Sequence, residues 1–213
     1  PSVQLMSSGK IETLLHDQSS RIICDSDQTL TITQGLTVLA EHVMDLSSSK
    51  GGAVLALGDN LTVSGTLRLN TSATIDNGTL VLSGGRLEVG EDVSITSDLT
   101  NLDNSTVQIA AGMTLSHSGA ELNIGPHTLT LTGGGTFANT NHLTLDDPAS
   151  VLELDDVAHV SKVAIPAELE SGKVEVLQDT NLQTLSHAGS SRIEIANEKT
   201  LTVSAATEIP PGK

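Results

Sequence analysis

Residues 61–78 read LTVSGTLRLNTSATIDNG, residues 79–97 read TLVLSGGRLEVGEDVSITS, and residues 98–109 read DLTNLDNSTVQI. Each segment alternates apolar with small polar residues in short units, and Gly, Asn or Asp separates one unit from the next. Alternation at period two places the apolar side chains of one unit on the same face of a strand. The stretch therefore predicts short β-strands joined by tight turns, and no helical period competes with this interpretation.

The strand units recur in groups of three, about every 20 residues. Taking every third unit gives three columns. The units of the first column begin at residues 55, 73, 93, 113 and 137, those of the second at 61, 80, 99, 122 and 143, and those of the third at 67, 87, 107, 129 and 152. This spacing is typical of a solenoid, whose single turns cannot bury their apolar faces alone and whose stacked turns can. We therefore predict an all-β, single-stranded parallel β-helix (a β-solenoid) with three short strands per turn, in which Leu80 and Leu99 are neighbours.

The middle residues of the units, which point outward in this arrangement, support the same register. In the first column they are small and form a predicted interaction face: Ala56, Thr74, Ser94, Thr114 and Ala138. In the third column they are polar, and stacking places Arg68 beside Glu88, an exposed pair worth at most ~1 kcal/mol. An antiparallel sandwich or barrel is the alternative, since Asn77-Gly78 is a good hairpin signal.

The regular pattern covers residues 53–155, and both ends of the chain are less regular. Residues 1–52 are expected to form an N-terminal cap or irregular first turns, with Leu39–Leu46 as one short helix. Residues 156–205 are expected to form less regular C-terminal turns, and residues 206–213 a linker-like tail. The first residue is Pro, so we expect a signal segment to be absent or already removed.

Composition excludes several classes of function. The net charge of −16 argues against binding to nucleic acid or to anionic membrane surfaces. No apolar run reaches the roughly 18 residues of a membrane span. Cys24 is the single cysteine, so an internal disulfide framework and a multi-cysteine metal site are excluded.

Two acidic pairs are the best candidates for chemistry. Each follows a predicted strand: Asp146 with Asp147, and Asp155 with Asp156. Paired carboxylates are what glycoside hydrolysis requires, although a solvated acidic turn is the alternative interpretation. Oxygen-rich corners at these pairs and at Glu91-Asp92 also suit a hard cation such as Ca²⁺. No other cofactor or metal is expected.

The repeats resemble the right-handed parallel β-helix proteins, which include secreted pectate-lyase-like domains, autotransporter passenger regions and filamentous adhesins. The resemblance is carried by Leu-Thr-Val (61–63), Thr-Leu-Val-Leu-Ser-Gly-Gly (79–85), Leu-Thr-Leu-Thr-Gly-Gly-Gly (129–135) and Leu-Thr-Leu-Asp (143–146). Gly51-Gly-Ala-Val54 also resembles the GGA(I/V) tetrapeptide of chlamydial polymorphic outer-membrane proteins, whose FxxN partner motif is absent here. The resemblance implies an exported bacterial protein at the cell surface or outside the cell.

The pattern of regular turns without a catalytic constellation favours a structural role. We expect a rigid rod, as a subunit or segment of an adhesin, stalk or filament, which associates end to end through the exposed strand edges of its terminal turns. The expected partner is therefore the chain itself or another surface protein. The alternatives are a partner-binding module that uses the small-residue face, and a polysaccharide lyase or hydrolase that uses the Asp pairs.

Overall fold

The computed structural model describes residues 2–12, 14, 18–24, 27–48, 51–166, 172–187 and 191–205. Across these ranges every regular element is a β-strand, and the strands wind into a parallel β-solenoid. The predicted fold class is therefore confirmed. The described residues contain no helix with the length and apolar character needed to cross a membrane. The predicted tail, residues 206–213, lies outside the described residues.

Three parallel sheets form the faces of the solenoid, and we call them sheets A, B and C. Sheet A has 10 strands: β1 (Ser2–Leu5), β3 (Ser20–Cys24), β6 (Val43–Ser48), β9 (Thr66–Asn70), β12 (Arg86–Val89), β15 (Ser105–Ile109), β18 (Thr128–Thr132), β21 (Val151–Asp155), β23 (Lys173–Val176) and β25 (Arg192–Ile195). Sheet C has 4 strands: β5 (Leu36–Val38), β8 (Asn60–Val63), β11 (Thr79–Leu82) and β14 (Asp98–Asn101).

Sheet B runs beside sheet A over the same length. Its strands are β2 (Gly9–Ile11), β4 (Thr29–Ile32), β7 (Ala53–Leu57), β10 (Ala73–Asp76), β13 (Val93–Ile95), β16 (Thr114–His117), β19 (Thr136–Asn139), β22 (His159–Ile165), β24 (Thr180–His187) and β26 (Leu201–Val203). Two further strands, β17 (Leu122–Asn123) and β20 (Leu143–Thr144), join sheet B through β22.

The core is a set of aliphatic ladders that run along the axis. Leu61 pairs with Leu80 and Leu80 with Leu99, and these three side chains are at most 2% exposed. The predicted neighbours Leu80 and Leu99 are thus confirmed. Burying one such side chain stabilises the fold by about 1.5–3 kcal/mol, and each turn depends on the next because its own apolar face would otherwise stay exposed.

The corner at Asn77 and Gly78 decides between the solenoid and the antiparallel alternative. Both residues have positive φ, at 58° and 54°, as a tight turn requires. The strands on either side, β10 and β11, do not pair with each other, because each pairs with strands of neighbouring turns. The dipeptide therefore turns the chain from one face to the next and does not close a hairpin.

The short helix predicted at Leu39–Leu46 is wrong. Residues 43–48 form β6, which pairs with β3 and β9. Met44 and Leu46 are fully buried and point inward, as their spacing of two dictates. Glu41 has φ of 65°, which an L-residue does not adopt inside a right-handed helix.

The predicted register is shifted by two residues at four places. Leu55 pairs with Ile75 rather than with residue 73, and Val93 pairs with Leu115 rather than with residue 113. Phe137 pairs with Leu115 rather than with residue 113, and Val107 pairs with Leu131 rather than with residue 129. A shift of two leaves every inward residue facing inward, because the side-chain period of a strand is two. Alternation alone therefore does not detect the shift.

The predicted ion pair on sheet A is confirmed. Arg68 Nε donates to Glu88 Oε2 at 2.6 Å across two paired strands. This hydrogen bond raises the pKa of Arg68, and burial opposes the shift. A second pair, Arg21 Nε to Asp45 Oδ2 at 3.0 Å, lies on the same sheet towards the N-terminal end.

Sheet C ends before the C-terminal turns because two strands merge into one. β22 has 7 residues and pairs with β19 at its start and with β20 at its end. Asn139 supports this merger: its Nδ2 donates to Lys162 O at 2.6 Å, and its Oδ1 accepts from Lys162 N–H at 3.1 Å. From this point on, the turns have two described strands, with β24 reaching 8 residues.

Candidate functional site at the ends of the solenoid

The two Asp pairs lie at opposite ends of β21. Asp146 and Asp147 precede this strand, Asp155 ends it and Asp156 follows it. A strand of 5 residues spans ~13 Å at about 3.3 Å per residue. Glycoside hydrolysis needs its two carboxyl groups about 5–9.5 Å apart. The length of β21 alone exceeds this range, which argues against one hydrolytic site shared by the two pairs.

Carboxylates at the predicted oxygen-rich corners accept hydrogen bonds from backbone N–H groups, either of the same corner or of a neighbouring turn. Asp146 Oδ1 accepts from Gly125 N–H, Asp147 Oδ1 from Ala149 N–H and Asp92 Oδ1 from Thr114 N–H, each at 2.8 Å. Within the ranges that the structure describes, no three His, Cys, Asp or Glu side chains converge as metal ligands would.

The small-residue face forms on sheet B with a different membership from the predicted one. Ala56 and Thr114 point outward but lie two residues away from the row, opposite Asp76 and Thr136. A shallow depression of about 300 Å³ opens over part of the row. The residues that the structure aligns there are Val54, Thr74, Ser94, Ser116 and Ala138.

The N-terminal end of the solenoid presents open strand edges. β1 and β2 are the outermost strands of sheets A and B, and no described strand pairs with their outer edges. By their register with β3 and β4, Val3, Leu5 and Ile11 point inward. Val3 is nevertheless 48% exposed, and Leu5 and Ile11 are only partly buried against the core.

The C-terminal end presents the opposite edges of the same two sheets. β25 is the last strand of sheet A, and β26 pairs with β24 alone among the described strands. Ile193 and Ile195 continue the inward column of Val174 and Val176, both of which are fully buried. Ile195 is itself 47% exposed because no further described turn covers it. Both ends thus expose residues that every inner turn buries.

The backbone groups at the two ends are complementary. In sheet A, Leu154 O accepts from Leu177 N–H and Val176 O accepts from Ala196 N–H, both at 2.9 Å. Carbonyls of inward residues therefore point to the next turn, and Ile195 O continues this series. Alternate residues of a strand direct their N–H and C=O groups to opposite neighbours. The backbone N–H and C=O groups of outward residues of β1, such as Gln4, therefore point away from β3.

The charge is distributed unevenly between the ends and the body. Residues 1–12 contain one basic and one acidic residue, Lys10 and Glu12. Residues 191–205 contain two of each sign: Arg192, Lys199, Glu194 and Glu198. Neither end segment carries net formal charge, so the net charge of −16 lies outside these two segments.

The sequence pattern indicates most of the terminal strands and misses one of them. The pairs Ile193/Ile195 and Leu201/Val203, and the segment Val3–Leu5, show the alternation of a strand. Gly9–Ile11 does not, because Gly-Lys-Ile contains a single apolar side chain. Its strand conformation comes from pairing with β4.

Comparisons with protein families, with curated proteins and with solved structures each gave no match for the chain. The function proposed below rests on the residues and geometry described above.

Proposed function

We propose that the protein is a structural β-solenoid rod that associates end to end through its terminal strand edges. The observation that carries the proposal is that, among the described residues, both ends expose open parallel edges and inward-facing aliphatic side chains, while neither end segment carries net charge. An exposed strand edge is a template for pairing with another chain. Strand addition at these edges buries the exposed side chains and satisfies the backbone groups at the same time.

The distribution of charge favours contact along the axis over contact side by side. Two bodies of net charge −16 repel each other when they lie flank to flank, whereas neutral ends meet without that cost. Repulsion between exposed charges is screened beyond about 8–10 Å at physiological ionic strength. We expect end-to-end contact at all salt concentrations, and sideways bundling of the rods only at high salt.

The dimensions suit a stalk or filament element. The 10 strands of sheet A are separated by nine spacings of about 4.8 Å, which gives a rod ~43 Å long. A place at the surface of a bacterium or outside the cell, in an adhesin, stalk or filament, is part of this proposal. It is supported by the likeness of the repeated Leu-Thr-Val and Gly-Gly segments to surface-exposed β-helix proteins.

Sedimentation velocity of the 213-residue chain over a concentration series tests the proposal, with negative-stain electron microscopy of the largest species. We expect growth with concentration into linear particles of constant width. Gln4→Pro removes an N–H on the free edge of β1 and keeps the pairing with β3, so it should block growth. Gln4→Ala is the matched control. A wild-type chain that stays monomeric, or growth that Gln4→Pro leaves intact, would overturn the proposal.

A second candidate function is binding of another surface protein on sheet B. The depression over Thr74, Ser94 and Ser116 is the observation that favours it, because small side chains let a partner approach the sheet closely. Thr74→Lys with Ser116→Lys should abolish capture of such a partner, whereas Thr62→Lys on sheet C should not. Unchanged capture by the first variant would remove this candidate. We do not propose a hydrolase, because β21 separates the two Asp pairs.

A further inference from the structure

We propose that the partner at each end is a second copy of this chain, stacked head to tail in a single register. In that register β25 pairs with β1 of the next copy, with Ile193 beside Val3 and Ile195 beside Leu5. β26 pairs with β2, with Val203 beside Ile11. This inference rests on the proposed end-to-end function and adds to it the register of the joint.

The sheets dictate which faces meet. Among the described strands, sheets A and B reach both ends of the solenoid, whereas the last strand of sheet C is β14. β1 and β25 belong to sheet A, and β2 and β26 are both attached to sheet B. The terminal strands also match in length, with 4 residues each in β1 and β25 and 3 each in β2 and β26. A second copy therefore offers strands of the right length on the right faces.

The hydrogen-bond pattern of the inner turns fixes the backbone contacts of the joint. In sheet A, Val176 lies opposite Ile195, and the next residue, Ala196, donates its N–H to Val176 O. Repeating this step across the joint gives Met6 N–H of the next copy as the donor to Ile195 O. Met6 is 77% exposed, so its backbone is accessible to a partner.

Sheet B repeats the same geometry. Leu182 lies opposite Val203, and the residue after Val203, Ser204, donates its N–H to Leu182 O at 2.9 Å. Across the joint, Glu12 N–H of the next copy donates to Val203 O. Parallel strands have one direction of chain and one hydrogen-bond polarity, so the joint is heterologous and continues into a linear filament.

The outward residues select the register. Glu153, Glu175 and Glu194 stack in consecutive strands of sheet A, where like charges directly opposite each other are destabilising. Lys173 pairs with Glu175 and Glu194, and Arg192 pairs with Glu194, which offsets part of this repulsion. In the proposed register, Gln4 follows Glu194 and ends this ladder with a neutral amide that can donate to the carboxylate. Ser2 lies beside Arg192. A slip of two residues would place Arg192 beside Gln4, or Glu194 beside Ser2.

Charge variants at the outward positions of β1 test the register by sedimentation equilibrium at low salt. The proposed register predicts tighter association, by about two- to five-fold in Kd, for Gln4→Lys beside Glu194 and for Ser2→Glu beside Arg192. Gln4→Glu and Ser2→Lys should weaken association by a similar factor. Ser2→Glu is decisive, because it adds charge to an already acidic chain and any general charge effect would weaken association.

The outcomes separate this inference from the function on which it rests. If Gln4→Glu or Ser2→Lys tightens association, the copies stack in a slipped register. If all four variants match the wild type while Gln4→Pro still blocks growth, end-to-end association stands and the register is wrong. If the wild-type chain stays monomeric, the end-to-end function and the register are both refuted. Circular dichroism should show that all four variants keep the β-signal of the wild type.

Discussion

Replacing Leu80 by Ala tests the stacked core directly. Leu80 is fully buried between Leu61 and Leu99 of the adjacent turns. Backbone hydrogen bonds hold these turns about 4.8 Å apart, so the neighbours cannot close the space that the side chain leaves. A site that does not collapse lies in the upper part of the range for Leu→Ala, which is about 3–5 kcal/mol in the free energy of unfolding.

Urea unfolding followed by far-ultraviolet circular dichroism measures this loss at a protein concentration that keeps the chain monomeric. Leu102→Ala is the matched control, because Leu102 is 56% exposed. That control should change the free energy by less than about 0.5 kcal/mol. Repeat proteins can unfold in more than one step, so the comparison requires equal slopes of free energy against urea for both variants.

A double-mutant cycle then tests contact between turns. Leu80→Ala with Leu99→Ala should show coupling of at least about 0.5 kcal/mol, because the two side chains share one space. Leu152 lies in β21, several turns away from Leu80. The effects of Leu80→Ala and Leu152→Ala should therefore be additive. Equal additivity of the two pairs, or a Leu80→Ala loss no larger than that of Leu102→Ala, would refute the stacked-turn reasoning.

Three further predictions concern single positions. Burial lowers the pKa of His117, so the unfolded chain binds a proton at this residue more readily than the folded chain does, and the free energy of unfolding falls as the pH drops below about 6.5. His117→Gln should therefore reduce the loss of unfolding free energy between pH 7 and pH 5, measured by urea titration. An unchanged loss would contradict this prediction. Gly112→Ala should lower the free energy of unfolding by about 1–2 kcal/mol, and Gly78→Ala should lower it further. Both glycines have positive φ, but a Cβ at Gly78 would lie 2.4 Å from Asp59 O whereas Gly112 is open; equal thermal shifts would count against this. Asn139→Ala should cost about 1–3 kcal/mol by leaving the backbone of Lys162 without its partners, and a loss no larger than that of Leu102→Ala would disprove it.

The sequence determined which residues face the core and how often the chain turns. Leu-x-Leu alternation with Gly and Asn at the corners is local information, so the three-strand turn and the neighbours Leu80 and Leu99 could be predicted. The open strands at the C-terminal end could also be predicted, since Ile193 and Ile195 carry the same alternation. The uneven distribution of charge can be read directly from the sequence as well.

Only the tertiary structure decided the register and the shape of the last turns. A two-residue shift, such as Leu55 beside Ile75, leaves the alternation unchanged, so it depends on how each corner packs against the turn before it. The described part of sheet C ends where Asn139 binds the backbone of Lys162, 23 residues away. Gly9–Ile11 becomes a strand because β4 pairs with it. In each case a contact between residues distant in sequence outweighs a weak local preference. The local pattern alone therefore does not predict the observed structure at these places.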